Sequence, residues 1–546
     1  MLTKRKPIKR IISLVLVLVL ALGQSQFPAA AASFSDVPLG AWYEPYVSEL
    51  TDKGIISGMG NDLYMPQKSL SRAEVVTILT KIALSASDVD QYRGFSLFSD
   101  VSKNAWYAPY VNWAGEAGIV DGYGANLFKP DQAITRQELA VMINKFRHCL
   151  GYQLQATVAE RDFADQPSIA GWSSDSVKVC QRVGIFAGDN YDRFNPQKAT
   201  ARSEAAAVFS NFLVSSYGSS DRIIRKRLAG VYVTGVEFDA LNYQAGIGMA
   251  NDRVNGGEAM SSMIQRTGAK FAVNAGFFDM SSYVPSATII SGGKLITTQE
   301  TYTPHKTSFV VGFDGMPSIQ NFSVNQTVSL VRDGATVSTL SNVAMNRRPN
   351  SAGDTTRLLY DAHWGPTVGN FARDLVVFDA SHTITTAASM WNDVTIPADG
   401  GVLYQRSRRE YEGDFFDSCK VGDSLEIKNE YTGLTVGDVD VSIGVGPRIV
   451  KNGAVYGNAS TYAQEGLGAS DIVSGSAKRV AIGVNGSKVI IITVNSCTMA
   501  KLSQIMAAAG CTDAMNLDGG GSTGLYYNGE YLATPGRNLN NMIYFK

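Results

Sequence analysis

The spacing of apolar residues changes from helical to strand-like partway along the chain. Before residue 215, apolar side chains recur three or four positions apart, as at Val75, Leu79 and Ile82, which is typical of one face of a helix. From residue 230 onward, short apolar runs predict β-strands, among them 231–233, 271–273, 308–312, 376–378 and 489–494. The pattern therefore predicts a multidomain protein with a helical first part and an α+β second part.

Two helices are predicted within the second part. Residues 257–266 follow a helical pattern, and so do residues 499–509, which Thr498 precedes as a suitable N-cap and Gly510 follows. The second part is therefore expected to mix helices with strands.

The first 32 residues have the pattern of a secretory signal. A basic stretch at 4–10 precedes a compact apolar run at 11–22, and small residues follow at 29–32. The apolar run is short for a membrane span. We therefore expect cleavage after Ala32, a secreted chain and no transmembrane anchor in the mature protein.

A repeat divides the helical part into three units. Phe34-Ser35-Asp36-Val37 recurs at 98–101 and, loosely, at 163–165. Each unit then has a tryptophan, a Gly-Ile pair and an Arg-x-Glu element; the tryptophans are Trp42, Trp106 and Trp172, and the arginines are Arg72, Arg136 and Arg202. A fixed period of this kind predicts one helical module per unit.

The Arg-x-Glu elements open the second helix of each unit. Ser71 with Glu74 and Thr135 with Glu138 have the spacing of capping boxes. The third unit has Ala201 at the cap position, where Thr200 is the expected substitute. Capping does not explain the three arginines, so a structural role and contact with an anionic ligand remain equal alternatives.

Taken together, the Phe-Ser-Asp-Val, Trp-Tyr, Gly-Ile and Thr-Arg-x-Glu elements resemble S-layer homology (SLH) domains in three copies, at 33–84, 97–147 and 162–213. The resemblance implies an α-helical three-module prism that binds secondary cell-wall polymer, which is often pyruvylated. The protein would then lie on the cell wall or S-layer surface of a Gram-positive-type bacterium. By this resemblance the polymer contacts are Arg72, Arg136, Arg202, Trp42 and Trp106, and we expect Arg72 and Arg136 to be exposed.

Composition adds little that is unusual. The 546 residues are 45% apolar and 18% charged, with a formal net charge of −1, so nothing overall attracts nucleic acid. The odd number of cysteines leaves at least one thiol unpaired. Buried free thiols are expected, with a Cys149–Cys180 or a Cys497–Cys511 bridge as alternatives.

No cofactor and no metal site are predicted. The four histidines, at 148, 305, 363 and 382, are interpreted as isolated, and no HExxH or CxxC motif occurs. A divalent metal requirement is left open.

A small, polar linker at 214–227 separates the repeats from the second domain, 228–546. The basic residues at its end, 222–227, are expected to be a solvated start.

A glycine-rich segment, 516–524, lies between two predicted strands near the end of the chain. Its three consecutive glycines, Gly519, Gly520 and Gly521, can form a nest of N–H groups that binds an anion, or simply a hairpin turn. Gly520-x-Ser522-x-Gly524 matches the nucleophile elbow of hydrolases, but a strand rather than a helix follows Ser522, so an esterase is not predicted.

Three further clusters accompany this segment. Residues 271–279 place Asn274 at the end of an apolar strand, residues 477–483 contain Arg479, and residues 444–453 form a turn-rich hairpin. A buried strand and a surface charge are the alternative interpretations of the first two clusters.

Val-Asn-Ala-Gly-Phe-Phe, Gly-x-Gly-Pro, Arg-x-Ala-Ile-Gly and Asn-Leu-Asp-Gly-Gly-Gly-Ser-Thr, in this order, resemble the phosphodiester glycosidase family, which includes N-acetylglucosamine-1-phosphodiester α-N-acetylglucosaminidase. The resemblance implies four catalytic candidates, Asp518, Glu465, Arg479 and Asn274. It implies that substrate and phosphate are bound by Gly519, Gly520, Gly521, Ser522, Thr523, Arg537 and Asn541.

The implied reaction is hydrolysis of a sugar-1-phosphodiester in a glycosyl-phosphate polymer or glycan. Arg479 and the glycine N–H groups would bind phosphate, Asp518 would act as nucleophile or base, and Glu465 would be a second carboxylate. The alternative is a non-catalytic S-layer or wall protein whose second domain only binds glycan.

Overall fold

The computed structural model describes residues 34–154, 156–216, 221–286, 288–299, 306–348, 357–369, 374–388, 393–405, 414–468 and 473–546. The predicted signal peptide and residues 217–220 of the predicted linker lie outside this part. The chain forms two compact units: Met1–Ala83 with Lys129–Val141 and Gln155–Ser215, and Leu84–Phe128 with Met142–Leu154 and Ser216–Lys546.

The first part of the chain is helical, as predicted. Its helices are α1 (Glu44–Asp52), α2 (Arg72–Ala83), α3 (Ala86–Asp90), α4 (Ala108–Glu116), α5 (Arg136–Cys149), α6 (Gly171–Arg182) and α7 (Arg202–Ser216). In the first two repeats, the first helix is followed by a glycine with positive φ, which is 68° at Gly54 and 74° at Gly118. Glycine adopts this conformation at helix ends without strain.

A ring of backbone hydrogen bonds joins equivalent positions of the three repeats. Leu70 N–H donates to Thr200, Thr200 to Ile134, and Ile134 to Leu70, each at 2.9 Å. In each repeat, a backbone N–H group just before the second helix thereby finds its acceptor in a carbonyl of another repeat. The three-module prism remains a prediction, and this ring is the contact on which it would be built.

The capping boxes of the first two repeats are confirmed. Ser71 N–H donates to Glu74 at 2.8 Å and Glu74 N–H to Ser71 Oγ at 3.3 Å; Thr135 and Glu138 make the same pair. In the third repeat only Ala201 N–H to Glu204 remains. The expected substitution by Thr200 is wrong, because its buried hydroxyl has no hydrogen-bond partner among the residues that the structure describes.

The second part of the chain is rich in antiparallel strands. Its helices are α8 (Met260–Thr267), α9 (Asp414–Ser418), α10 (Ala459–Gln464) and α11 (Met499–Ala508). Its strands are β1 (Arg222–Leu228), β2 (Val231–Asp239), β3 (Ala245–Met249), β4 (Phe271–Asn274), β5 (Ile289–Ser291), β6 (Lys294–Thr297), β7 (Lys306–Gly312), β8 (Pro317–Arg332), β9 (Ala335–Leu340), β10 (Ala344–Met345), β11 (Arg357–Tyr360), β12 (Asp374–Phe378), β13 (Ile384–Ala388), β14 (Gly401–Gln405), β15 (Ser424–Thr432), β16 (Val439–Gly444), β17 (Arg448–Lys451), β18 (Ala454–Val455), β19 (Ala477–Asn485), β20 (Lys488–Cys497), β21 (Asp513–Asn516), β22 (Leu525–Tyr527), β23 (Glu530–Ala533) and β24 (Asn541–Phe545).

Four sheets contain these strands. Two sheets hold the candidate site: one has the order β1-β2-β20-β19-β21-β17-β18, and the other β23-β22-β4-β24-β3. The remaining two have the orders β15-β8-β7-β16-β5-β6, with β9 on β8, and β10-β11-β14-β12-β13. A shared apolar core packs against all four, with Phe238, Phe271 and Ile491 fully buried in it.

The predicted elements are largely confirmed. All five apolar runs lie in strands, and α11 begins after Thr498, whose hydroxyl accepts from Lys501 N–H at 3.2 Å. Helix α8 begins three residues later than predicted, because Glu258 is held by a backbone bridge to Leu539. Among the described residues, none of the helices has the length and apolar character needed to cross a membrane.

The basic stretch at 222–227 is strand β1, and the expectation of a solvated start is wrong. β1 pairs with β2, and α3 and α4 supply its partners within the second unit. Lys226 pairs with Asp88 at 3.1 Å, Arg227 Nε donates to Glu116 at 3.0 Å, and the Trp113 indole donates to the Arg225 carbonyl at 2.8 Å. These contacts neutralise the cations that made the stretch look solvent-exposed.

Candidate functional site

The glycine-rich segment follows directly from β21. Leu517 N–H donates to the Val480 carbonyl of β19, and Asp518 N–H donates to Ala275 just beyond β4, both at 2.9 Å. A short 3-10 turn at Gly520–Ser522 then leads into β22. Because one acceptor lies in β19 and the other just beyond β4, which belongs to the second site-forming sheet, both sheets fix where Asp518 is placed.

Two buried asparagines hold the surrounding backbone. The Asn274 amide donates to the Asp518 carbonyl at 2.5 Å and accepts from Gly524 N–H at 2.9 Å, which closes the glycine segment at both ends. Asn541 accepts from Gly276 N–H at 2.6 Å. Both residues are 1% exposed. Asn274 bonds to the loop backbone and is placed to position the loop, while Asn541 also donates to the Asn540 side chain at 3.1 Å.

One of the three glycines is required by a close approach to backbone, and a second lies against a flexible side chain. A Cβ at Gly519 would lie 2.7 Å from the Lys478 carbonyl oxygen, and one at Gly521 would lie 2.5 Å from the Arg537 guanidinium. Gly520 has a φ of +59°, where a side chain would be strained. The segment is thus more constrained than a hairpin turn and lies against a cationic side chain.

Asp518 is the carboxyl group at the centre of the loop. Burial raises its pKa from 3.8 to about 6, although the Ser522 hydroxyl, the Arg537 charge and the Gly519 N–H all favour the ionised form. A carboxyl with a perturbed pKa beside a cation is typical of a functional site.

Arg537 supplies the cation. Arg537 is exposed, and its Nη1 contacts the Met280 sulfur at 3.1 Å. The neighbouring Gly536 N–H donates to the Gly521 carbonyl at 2.8 Å. A sulfur is a weak acceptor, so this guanidinium can bind an anionic group at the loop.

Three buried polar side chains line the inner side of the loop. Ser522, Thr523 and Asn516 have exposures of 1%, 0% and 2%. The Thr523 hydroxyl and the Asn516 Oδ1 have no hydrogen-bond partner in the described part of the chain. Asn516 was absent from the predicted site, although it opens the Asn-Leu-Asp-Gly motif, and that position is the signal that could have included it.

Arg479 lies beside the loop but is used differently. Its side chain is 5% exposed. Nε donates to the Cys497 carbonyl at 2.9 Å and Nη2 to the Gly475 carbonyl at 2.7 Å. These bonds bind Arg479 to backbone, so the accessible guanidinium next to Asp518 is that of Arg537.

Glu465 lines a polar pocket whose other residues do not belong to the glycine loop. Its Oε2 accepts from Thr307 N–H at 2.9 Å and its Oε1 from Arg448 N–H at 3.3 Å. None of the contacts described for Glu465 joins it to Asp518. The structure therefore brings together Asn274, Asp518, Gly519, Gly520, Gly521, Ser522, Thr523, Arg537 and Asn541, while Glu465 bonds to the backbone of Thr307 and Arg448.

The repeat arginines are not the exposed groups that the sequence led us to expect. Arg72 and Arg202 have exposures of 5% and 6%. Arg202 donates to the Tyr64 and Ser57 carbonyls, both at 2.8 Å, and lies over the Tyr64 ring. Arg136 is half-buried and donates to Phe194 at 2.8 Å. Each of these two arginines thus bonds to a loop of another repeat.

A cavity of about 260 Å³ nevertheless lies beside Arg136. It is also lined by Trp42, Arg193, Lys198 and Glu204. Trp42, Trp106 and Trp172 are 59%, 59% and 62% exposed. The sequence did not identify Arg193 and Lys198 as candidate polymer contacts, because they lie in a loop whose residues differ between the repeats.

The histidines were wrongly interpreted as all isolated. Asp361-Ala362-His363 is an Asp-x-His motif, and His363 Nδ1 lies 3.0 Å from Asp361, which raises the pKa of the imidazole. His305 lies outside the described residues. Within the described ranges, no group of three His, Cys, Asp or Glu side chains could hold a metal ion.

All five cysteines are free thiols, four of them buried, as expected.

Two family models match the chain. The one described as phosphodiester glycosidase matches residues 374–546, and the S-layer homology domain matches 33–76, 97–140 and 162–206. The chain therefore carries three S-layer homology domains followed by a phosphodiester glycosidase domain. The glycosidase match begins well after residue 228, where the sequence reading placed the start of this domain.

Curated relatives share part of the chain. It is 30% identical over 186 residues to the exoglucanase XynX of Acetivibrio thermocellus, covering 34% of this chain and 17% of that protein. It is 31% identical over 214 residues to the S-layer protein EA1 of Bacillus anthracis, covering 39% and 23%. The chain thus spans less than a quarter of these relatives. The S-layer homology domains and S-layer relatives indicate a bacterial cell-surface protein associated with the cell wall.

A solved structure shares the fold. A hypothetical protein from Synechocystis is 20% identical, with a TM-score of 0.50, over 60% of this chain and 61% of that one. This likeness concerns the fold alone.

Proposed function

We propose that the protein is a secreted, wall-attached hydrolase that cleaves sugar-1-phosphodiester bonds, such as those of N-acetylglucosamine-1-phosphodiesters. The observation that carries the proposal is the pairing of Asp518, with its raised pKa, and the accessible Arg537 guanidinium on one glycine loop. The phosphodiester glycosidase domain supports the same reaction class.

The proposed chemistry divides the substrate between these two groups. Arg537 and the loop N–H groups bind the phosphate, and ionised Asp518 faces the anomeric carbon as nucleophile or as base toward water. The bond from the anomeric carbon to the phosphate oxygen breaks, and its electron pair stays on the phosphate. Water supplies the new oxygen on the anomeric carbon and gives a proton to Asp518, which releases it to solvent. Because the departing phosphate monoester is a good leaving group, the reaction needs little protonation, and a second carboxylate is not required.

The test is turnover of N-acetylglucosamine-1-phosphate methyl ester by the full chain. Asp518→Asn and Arg537→Ala should each lower kcat/KM by about 10² or more, since each removes charge at the reacting centre. Asp440→Asn is the matched control, because burial also raises the pKa of this carboxyl outside the loop. Full-chain protein that binds the ester without hydrolysing it would favour the glycan-binding alternative.

We further propose that the S-layer homology domains bind an anionic secondary cell-wall polymer through the cavity beside Arg136. The exposed Trp42 ring supplies an aromatic surface. The Lys198 side chain is 55% exposed and pairs with Glu204 at 2.6 Å, so its ammonium can be shared with an anionic ligand. The double variant Trp42→Ala with Lys198→Ala should bind isolated cell walls at least about tenfold more weakly.

Val214→Ala, which truncates another exposed apolar side chain of this region, is the control and should bind walls normally. Unchanged binding by the double variant would remove this cavity from the proposal.

A further inference from the structure

A second polar pocket, of about 410 Å³, opens on the glycosidase domain. Its walls come from β7, β8, β17 and α10. It is lined by Thr307, Asn321, Arg448, Lys451, Tyr456, Thr461, Gln464 and Glu465. None of these residues belongs to the glycine loop, and the hydrolysis proposed above does not use them.

Glu465 forms the floor of this second polar pocket. The residue is 8% exposed, and the Thr307 and Arg448 N–H groups hold both oxygens of its carboxyl group. Burial raises its pKa. Gly446 has a φ of +64°, and a Cβ there would lie 2.5 Å from Oε2. The backbone is therefore shaped around this carboxyl, which is fixed in place before any ligand arrives.

Two cations lie above this floor. The Arg448 guanidinium pairs with Asp513 through Nη2, but its buried Nε has no hydrogen-bond partner in the described part of the chain. The Lys451 ammonium lies 5.4 Å from the centre of the Tyr456 ring. The pocket therefore offers the Lys451 ammonium and the unused buried Nε donor of Arg448, both of which suit an anion.

The remaining lining is hydrogen-bonding and uncharged. Asn321, Thr461 and Gln464 present amides and a hydroxyl, and Tyr456 adds an aromatic surface. This combination suits a ligand with several hydroxyl groups. A volume of about 410 Å³ lies within the range of small-molecule sites and has room for one sugar with an attached phosphate.

We propose that this pocket is a second ligand site, which binds a sugar phosphate. The cations take the phosphate, while Glu465 and the amides take the sugar hydroxyls. The inference stands apart from the proposed hydrolysis because it concerns other residues and binding alone.

Hydrogen exchange of the full chain tests the proposal locally. N-acetylglucosamine 1-phosphate should protect the amides of α10 and residues 446–451, in the wild type and equally in Arg537→Ala, whose glycine loop is weakened. Lys451→Ala and Gln464→Ala should each raise the Kd derived from this protection about tenfold, the effect of losing one charge-assisted or well-placed polar contact. Lys428→Ala, an exposed lysine elsewhere on the domain, should leave the Kd unchanged.

Two further probes test the sugar and the phosphate of the ligand separately. N-acetylglucosamine and inorganic phosphate should each protect these amides much more weakly than the sugar phosphate. Absence of protection by the sugar phosphate would overturn the proposal. So would equal protection by inorganic phosphate, which would make the pocket a plain anion site. Loss of α10 protection in Arg537→Ala would also overturn it, by assigning the ligand to the glycine loop. Turnover is measured separately, so either proposal can fail alone.

Discussion

At the scale of single residues, Asp518 is held between opposing effects. Burial raises its pKa to about 6, whereas Ser522, Arg537 and the Gly519 N–H favour the charge. Between pH 3.8 and about 6 the folded state therefore binds more protons than the unfolded state. Stability must then fall as pH rises through this window. A carboxyl that makes folding less favourable at neutral pH is best explained by a role in binding or catalysis.

The raised pKa of Asp518 leads to a prediction for the pH dependence of kcat/KM. As nucleophile or base, Asp518 must be ionised, so kcat/KM of the full chain should rise with pH and level off above about 6. Asp518→Asn should lose this rise together with most of the activity, yet be at least as stable as the wild type at pH 7 in denaturant unfolding. Activity that falls above pH 6 would instead assign Asp518 the role of a general acid.

The sequence identified most of the loop residues but misjudged several arginines. The family resemblance implied that Asn274, Asp518 and Arg537 share one site, and in the structure they do share contacts. It could not show that Arg479 and Arg202 donate to backbone carbonyls, because those acceptors belong to distant segments and carry no side-chain signature. Arginines that bind a ligand and arginines that join segments look alike in a sequence.

At the scale of elements, local signals decided what was predictable. Capping boxes gave the starts of α2 and α5, and a cap with a following glycine gave both ends of α11 close to their observed bounds, since these signals lie within one turn of a helix end. Strand β1 was missed because its four cations, Arg222, Arg225, Lys226 and Arg227, imitate a solvated segment. Their partners, such as Glu116 and Asp88, lie over a hundred positions away.

The third repeat offers a test of capping. Ala201 already donates to Glu204, and a hydroxyl at this position would complete the box found at Ser71 and Thr135. Ala201→Ser should therefore stabilise the protein by about 1 kcal/mol, and Ser71→Ala should destabilise it by a similar amount. Thermal unfolding of the full chain measures both. Equal midpoints for wild type and Ala201→Ser would show that the third helix does not need the cap.

At the scale of the whole molecule, compact units and repeats do not coincide. The second unit includes Leu84–Phe128 and Met142–Leu154 together with the β-rich part. Trp113, Glu116 and Asp88 from this helical region all contact β1. A fragment beginning at residue 228 would lose β1 and these contacts, so tests of the proposed activity should use the full chain.

The ion pair between Glu116 and Arg227 tests this organisation. Their side chains are 17% and 27% exposed, so Glu116→Arg should destabilise the second unit by roughly 1.5–3 kcal/mol, the range for hydrogen bonds to charged groups. Heat inactivation of the full-chain hydrolase should then occur at a lower temperature. Adding Arg227→Glu should restore much of the loss. A charge swap without recovery, or a single variant with normal inactivation, would mean that this contact does not support the enzyme.

The central claim is that the protein breaks the bond between sugar and phosphate oxygen, with phosphate as the leaving group. Hydrolysis of N-acetylglucosamine-1-phosphate methyl ester in ¹⁸O-water, followed by mass spectrometry of both products, tests it most directly. The account predicts the label on the anomeric oxygen of the sugar and none on the phosphate product. Label on the phosphate product would show phosphorus–oxygen cleavage and would contradict the role given to Asp518.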